Sequence, residues 1–105
     1  MFALYTTPLS ANGRKPLALA RALGLEPEIR HVNVYRGEGR KAEFLAISPL
    51  GKIPVLVDGS LTLGESNAIL WYFSDRTRYV SEDRYERAQV LQWQFFEQYD
   101  HEPNI

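Results

Sequence analysis

The chain contains no cysteine, so it has no disulfide, no thiolate metal site, no thiol nucleophile and no C-x-x-C redox pair of its own. Any thiol chemistry must use a thiol carried in by another molecule. An excess of either charge is also missing: 12 Lys and Arg stand against 13 Asp and Glu, a formal net charge of -1 at pH 7. That leaves no basic stripe to neutralise phosphates and points away from nucleic acid. No apolar run approaches the ~18 residues of a membrane span. The apolar start from Met1 to Tyr5 is too brief, and lacks the basic flank, for a secretory signal. A cytoplasmic location without a membrane partner is therefore expected. No repeat or low-complexity segment occurs. What is present is 105 residues, 45% hydrophobic and 24% charged, enough for one ordinary core and suited to a small-molecule partner.

Phe2 to Tyr5 reads as a short buried strand, ended near Thr6 by the breaker-rich run through Gly13. From Gly13, Leu17, Ala20 and Leu23, with Ala18 and Ala22, recur at helical spacing; Asn12 offers an N-cap and Gly24 a stop. Pro16 then falls in the first turn, where its missing N–H has no helical partner to lose. Glu28 to Val34 alternates as a second strand, and Arg36 to Lys41 is a charged loop. Ala42 to Ile47 has the spacing of a short helix, Ser48 to Gly51 is a turn cluster, and Pro54 to Val57 is strand-like. Asp58-Gly59 between apolar runs signals a hairpin, with Leu61 and Leu63 on the return strand. Glu65-Ser66 opens a helix that is apolar on almost every side from Ala68 to Phe73, the mark of burial between layers.

This order needs one parallel crossover and one antiparallel hairpin. A mixed four-stranded sheet with helices on both faces satisfies both, an α/β arrangement of the thioredoxin-like kind over residues 1–78. Residues 79–105 read as a linker and one helix, Arg84 to Asp100. Tyr85, Ala88, Leu91, Phe95 and Tyr99 form one stripe of it, Trp93 and Phe96 another. So small a domain cannot cover both stripes, so a second domain or another copy of the chain is expected to pack there.

Three loops converge at one end of such a sheet. The first carries Ser10 and Asn12 at the start of a helix, where exposed N–H groups and the macrodipole favour an anion such as a thiolate. Lowering a free thiol from about 8.5 by two units requires roughly 2.7 kcal/mol. A helix terminus supplies at most ~2 kcal/mol, whereas a hydroxyl hydrogen bond to a charge adds roughly 1.5 to 3 kcal/mol. The second loop is Lys52-Ile53-Pro54: a cis Pro54 would leave the Ile53 main chain free to pair with an extended ligand. The third is Glu65-Ser66-Asn67. Ser66 is an N-cap candidate without a capping-box partner, so its donors are open to a carboxylate, and Glu65 is open to an ammonium group. Each loop also reads as ordinary turn or cap chemistry, the reading that spacing alone favours for Ser10 and Asn12.

Leu4-Tyr5-x-x-Pro8-x-Ser10, Asn12-Gly13, Pro49 to Leu56 and Glu65 to Leu70 resemble the cytosolic glutathione transferases over roughly the first three quarters of the chain. The resemblance implies that Ile53, beside a cis Pro54, pairs with the cysteinyl backbone of glutathione. Glu65 and Ser66 would hold the γ-glutamyl end, and Lys52 would lie near the carboxylates. Ser10 stands where serine-type members place the thiol-activating hydroxyl, and Ser10 to Gly13 is similar to a bacterial Thr-Pro-Asn-Gly motif, making Asn12 the second catalytic candidate. Tyr5 is expected in the core, since Thr6 occupies the place of the tyrosine-type hydroxyl. Gly39 departs from the family's His or Gln, and Arg40 is the candidate substitute. The implied function is conjugation of glutathione to a small electrophile, in detoxification, by a homodimer needing no cofactor beyond glutathione as co-substrate. The alternatives are glutathione-dependent disulfide reduction and a non-catalytic interaction module. Arg84 to Asp100 resembles the first helix of the family's all-helical second domain, so a truncated piece of a longer protein, weakly active or inactive and prone to associate through Trp93, Phe95 and Phe96, is expected.

Overall fold

A computed structural model describes Phe2 to Asn104. Strand β1 (Phe2–Thr6) takes β2 (Glu28–His31) as a parallel neighbour on one side and β3 (Val55–Asp58) as an antiparallel neighbour on the other. Strand β4 (Leu61–Gly64) closes the hairpin with β3, giving the order β2-β1-β3-β4. The two-residue hairpin loop is Gly59-Ser60, with Gly59 at φ 60°, a conformation glycine adopts without a Cβ penalty. The expected mixed sheet and thioredoxin-like order are both present.

Side chains alternate across a strand, and that alternation divides the core in two. Leu4 and Leu56 oppose each other in register and share one face. They pack with Ala20 of α1 (Ala11–Leu23) and with Ile69 and Phe73 of α3 (Ser66–Ser74). Tyr5 and Val55, the next opposed pair, turn to the other face, where Val32 and Phe44 of α2 (Ala42–Leu45) join them. Leu4, Leu56 and Ile69 are essentially inaccessible, and each such burial stabilises by about 1.5–3 kcal/mol. Tyr5 lies in this second layer with its ring 6.0 Å from that of Phe44, the core position expected of it. At the hairpin, the Tyr72 hydroxyl donates to the Asp58 carboxylate at 2.6 Å. That bond, then desolvation, then the carboxylate charge raise the phenol above its ordinary 10.0.

Several boundaries differ from expectation. Helix α1 begins at Ala11, with Ser10 as its N-cap, because the Ser10 Oγ accepts the Gly13 N–H at 3.2 Å. Asn12 is therefore not the cap but a residue of the first turn. Pro16 consequently falls in the second turn and has no N–H to give the Asn12 carbonyl. Gly24, at φ 72°, ends the helix, and the Leu25 N–H returns to Ala20 O at 2.8 Å, the usual left-handed stop. Strand β2 stops at His31 rather than Val34. The Asn33 side chain accepts the Tyr35 N–H at 3.1 Å and the Asn33 main-chain N–H donates to Glu38 Oε1 at 2.8 Å, local bonds that compete with the ladder. Two short 3₁₀ turns follow, Val34–Arg36 running into the expected charged loop and Glu38–Arg40 within it. Ser66 is likewise not a cap: the Glu65 carbonyl accepts the Ile69 N–H at 3.0 Å, so Glu65 holds the N-cap place and Ser66 is the first helical residue.

The chain divides into two compact units, one ending at Phe73 and one starting at Ser74. In the second, Asp83 caps α4 (Arg84–Phe96) by accepting the Glu86 N–H at 3.0 Å. The helical path then widens into a π-helical turn over Glu97–His101. Four aromatic residues of α4 and this turn pair with one another, Trp93 with Phe96 edge-on and Phe95 with Tyr99 stacked, and all four are exposed. Among the described residues no helix is long and apolar enough to cross a membrane.

Candidate functional site

Strand register brings the candidate loops to one end of the sheet. Tyr5 is paired with Val55, and Val55 with Gly64. The C-terminal end of β1, the N-terminal end of β3 and the C-terminal end of β4 are therefore side by side. Ser10, Ile53-Pro54 and Glu65-Ser66 all follow or precede these ends within a few residues. With neighbouring strands about 4.8 Å apart, three strands place the turns across about 10 Å, the length of an extended tripeptide at about 3.4 Å per residue.

The Ser10 hydroxyl accepts the Gly13 N–H, which fixes its oxygen at the first turn of α1 and leaves its own proton available to donate. Gly13 is a position of close approach. A Cβ there would lie 2.4 Å from Thr7 O, 2.8 Å from Thr6 Oγ1 and 3.2 Å from Ile53 Cδ1. That contact joins the first turn of α1 to the Ile53 loop. Thr6, wholly buried, donates its hydroxyl to the Gly13 carbonyl at 2.8 Å. Its proton is committed to holding the helix, which suits Ser10 rather than Thr6 to a ligand. Asn12 Oδ1 is buried with no hydrogen-bond partner among the described residues, an arrangement that costs about 1–3 kcal/mol unless a donor reaches it.

The Ile53–Pro54 peptide bond is cis. Among the described residues no hydrogen bond engages the Ile53 main chain. Lys52 is exposed, but its main chain is held on both sides by one side chain. Ser48 Oγ accepts the Lys52 N–H at 3.2 Å and donates to the Lys52 carbonyl at 2.9 Å. Ser48 is buried and was missed from sequence, where it reads as one more turn residue.

Glu65 adopts φ 68°, left-handed for a residue with a Cβ, at a cost of roughly 1–2 kcal/mol. Such strain concentrates at binding turns. Ser66 beside it is buried, and no partner of its hydroxyl is found among the described residues. Arg40 is exposed on the second 3₁₀ turn. Among the described residues no cluster of three His, Asp or Glu side chains could hold a metal ion.

The family model for the N-terminal domain of glutathione S-transferase matches residues 1–75. The chain belongs to the glutathione S-transferase family. A glutathione S-transferase of Arabidopsis thaliana is 40% identical over 91 residues, which cover 82% of this chain and 42% of that protein. A disulfide-bond oxidoreductase of Escherichia coli is 37% identical over 105 residues, 92% of this chain and 48% of that protein. The crystal structure of a glutathione S-transferase from Pseudomonas fluorescens superposes with a TM-score of 0.91 at 42% identity, covering 97% of this chain and 51% of that one. A second family member from that organism, with two glutathione bound, gives a TM-score of 0.83 at 31% identity over 92% of this chain and 45% of that one. The chain spans about half the length of the curated relatives it matches.

In this glutathione S-transferase domain the glycine at position 39 has a steric reason. A Cβ on Gly39 would lie 2.5 Å from Gly51 O, and one on Gly51 would lie 2.8 Å from Gly39 O. Two backbones cross there, which sets the turn bearing Arg40 against the turn bearing Lys52. A longer side chain at position 39 has no room in this crossing.

Proposed function

We propose that the chain is the glutathione-binding part of a glutathione transferase that conjugates glutathione to a small electrophile. Glutathione lies extended across the sheet end, its cysteinyl main chain paired with Ile53 beside Pro54. Ser66 and Glu65 take the carboxylate and the ammonium of its γ-glutamyl head, and Lys52 with Arg40 faces its other carboxylate. The thiol loses its proton to solvent. The Ser10 hydroxyl then donates to the thiolate, with the first turn of α1 behind it. The sulfur lone pair forms the bond to the electrophilic carbon, and the leaving group departs with the electrons of the broken bond.

The observation that carries this reading is the pairing of Tyr5 with Val55 and of Val55 with Gly64, which gathers three separate polar turns within reach of one tripeptide. Replacing Ser10 with Ala is expected to leave calorimetric glutathione affinity nearly intact and to raise the bound thiol's pKa by about 1–2 units, the worth of one hydrogen bond to a charge. A titration identical to wild type removes Ser10 from the mechanism. The partner of the exposed aromatic pairs on α4 is a second copy of the chain, forming a homodimer; sedimentation as a monomer across concentrations would count against it.

A second reading, glutathione-dependent disulfide reduction, is favoured by the similarity to the Escherichia coli oxidoreductase. Turnover of a mixed disulfide without turnover of aryl halides would select it.

A further inference from the structure

We propose that His31 is a positioning residue for the Ser10 hydroxyl, acting through Thr7; the proposal rests on the thiolate role of Ser10 given above. His31 ends β2 in register with Thr6. Although His31 is exposed, its Nε2 lies 3.0 Å from the Oγ1 of the wholly buried Thr7. The same Thr7 oxygen accepts the Leu9 N–H at 3.3 Å, and the Thr7 carbonyl accepts the Ser10 N–H at 3.4 Å. Two of the ties that shape the turn from Thr7 to Ser10 thus end on one residue. Ser10 itself is held from the helix side, its Oγ by the Gly13 N–H at 3.2 Å and its carbonyl by the Arg14 N–H at 3.0 Å, and a further bond, from the Arg14 guanidinium to the Pro8 carbonyl at 3.2 Å, is exposed.

The turn itself has little else to hold it. Pro8 and Leu9 are exposed, Leu9 by 59%, so their packing does little to fix the approach to Ser10. The orientation of the Thr7 hydroxyl decides whether its lone pair faces the Leu9 N–H. With the Leu9 N–H on one side, that hydroxyl has its proton and a second lone pair left, and His31 Nε2 meets one or the other in either tautomer. Without His31 the hydroxyl is free to rotate, the Leu9 bond loosens, and the approach to Ser10 is less fixed, so that its hydroxyl, still held by the Gly13 N–H, meets the sulfur less often.

Arg30, Glu38, Lys41 and Glu43 line, with His31, a cavity of about 360 Å³, so replacing the imidazole also alters a charged surround. A double-mutant cycle separates positioning from charge. The readout is ultraviolet titration of the thiol of glutathione bound to this chain, with calorimetric affinity measured alongside. His31→Leu removes the contact, His31→Gln returns an amide to the place of Nε2, and Thr7→Val keeps the shape of Thr7 without its hydroxyl. His31→Leu and Thr7→Val are expected to raise the bound thiol pKa by about half to one unit, a roughly three- to ten-fold loss of thiolate below that pKa, with affinity changed less than about two-fold. His31→Gln should recover most of the loss, and His31→Leu should add nothing in a Ser10→Ala background.

Equal shifts with and without Ser10 would mean that His31 acts as a charge and would overturn the proposal. An unchanged pKa in His31→Leu, beside a raised one in Ser10→Ala, also overturns it and leaves the transferase reading standing. A wild-type chain whose bound thiol titrates like free glutathione removes that reading, and this proposal with it.

Discussion

Gly13→Ala offers a test in which the sign of the effect carries the information. In an exposed helix interior, replacing Gly with Ala stabilises by about 1 kcal/mol. Here the new methyl would sit 2.4 Å from the Thr7 carbonyl oxygen and 2.8 Å from Thr6 Oγ1. The first of these is backbone and cannot swing aside, so the first turn of α1 has to move. Overpacking of this kind costs about 1–3 kcal/mol. Moving the turn also stretches the buried Thr6-to-Gly13 bond, and leaving its groups unpaired costs about 1–3 kcal/mol more. Set against the propensity gain, the balance is a net destabilisation of about 1–5 kcal/mol. Urea unfolding of wild type and variant measures it directly, and glutathione affinity should fall in parallel because Ser10 and Ile53 flank the displaced turn. A variant more stable than wild type by about 1 kcal/mol would refute the close approach, and with it the claim that β1, α1 and the Ile53 loop form one fixed corner.

Ser48→Ala removes the hydroxyl that holds both main-chain groups of Lys52; it should cost about 1–3 kcal/mol in urea unfolding and weaken glutathione binding, and unchanged affinity would dissociate the Lys52 turn from the site. The Tyr72 phenol is held above its unfolded value by its bond to Asp58. The stability this adds is complete below pH 10 and is lost as pH rises through the folded value. Wild-type urea midpoints should therefore fall more steeply than those of Tyr72→Phe between pH 9 and pH 11, and parallel curves would mean the bond contributes nothing.

Reading the chain by pattern succeeded where the cause is local. The apolar runs from Phe2 to Tyr5 and from Ala68 to Phe73 and the Asp58-Gly59 turn each depend on neighbours in sequence, and the mixed sheet followed from the need for one parallel crossover and one antiparallel hairpin. The caps were misassigned at both site helices. Asn12 and Ser66 have side chains as suitable as those of the residues that hold the cap places, and only the path of the chain into each helix decides between them. The Asn33 turn shortened β2 for a similar reason: a side-chain bond to Tyr35 and another from Glu38 outcompeted one more pair of ladder bonds.

The amino-acid order by itself determined the element types, the mixed sheet and the family, because hydrophobic period, turn chemistry and the Lys52-Ile53-Pro54 and Glu65-Ser66 motifs are written along the chain. Tertiary structure alone decided the rest: the crossing of Gly39 over Gly51, the clamp of Ser48 on Lys52, the left-handed Glu65 and the reach of His31 to Thr7. Each of these joins groups whose meeting depends on strand register and backbone crossing, and a contact between distant segments leaves no period or composition for a sequence pattern to reveal.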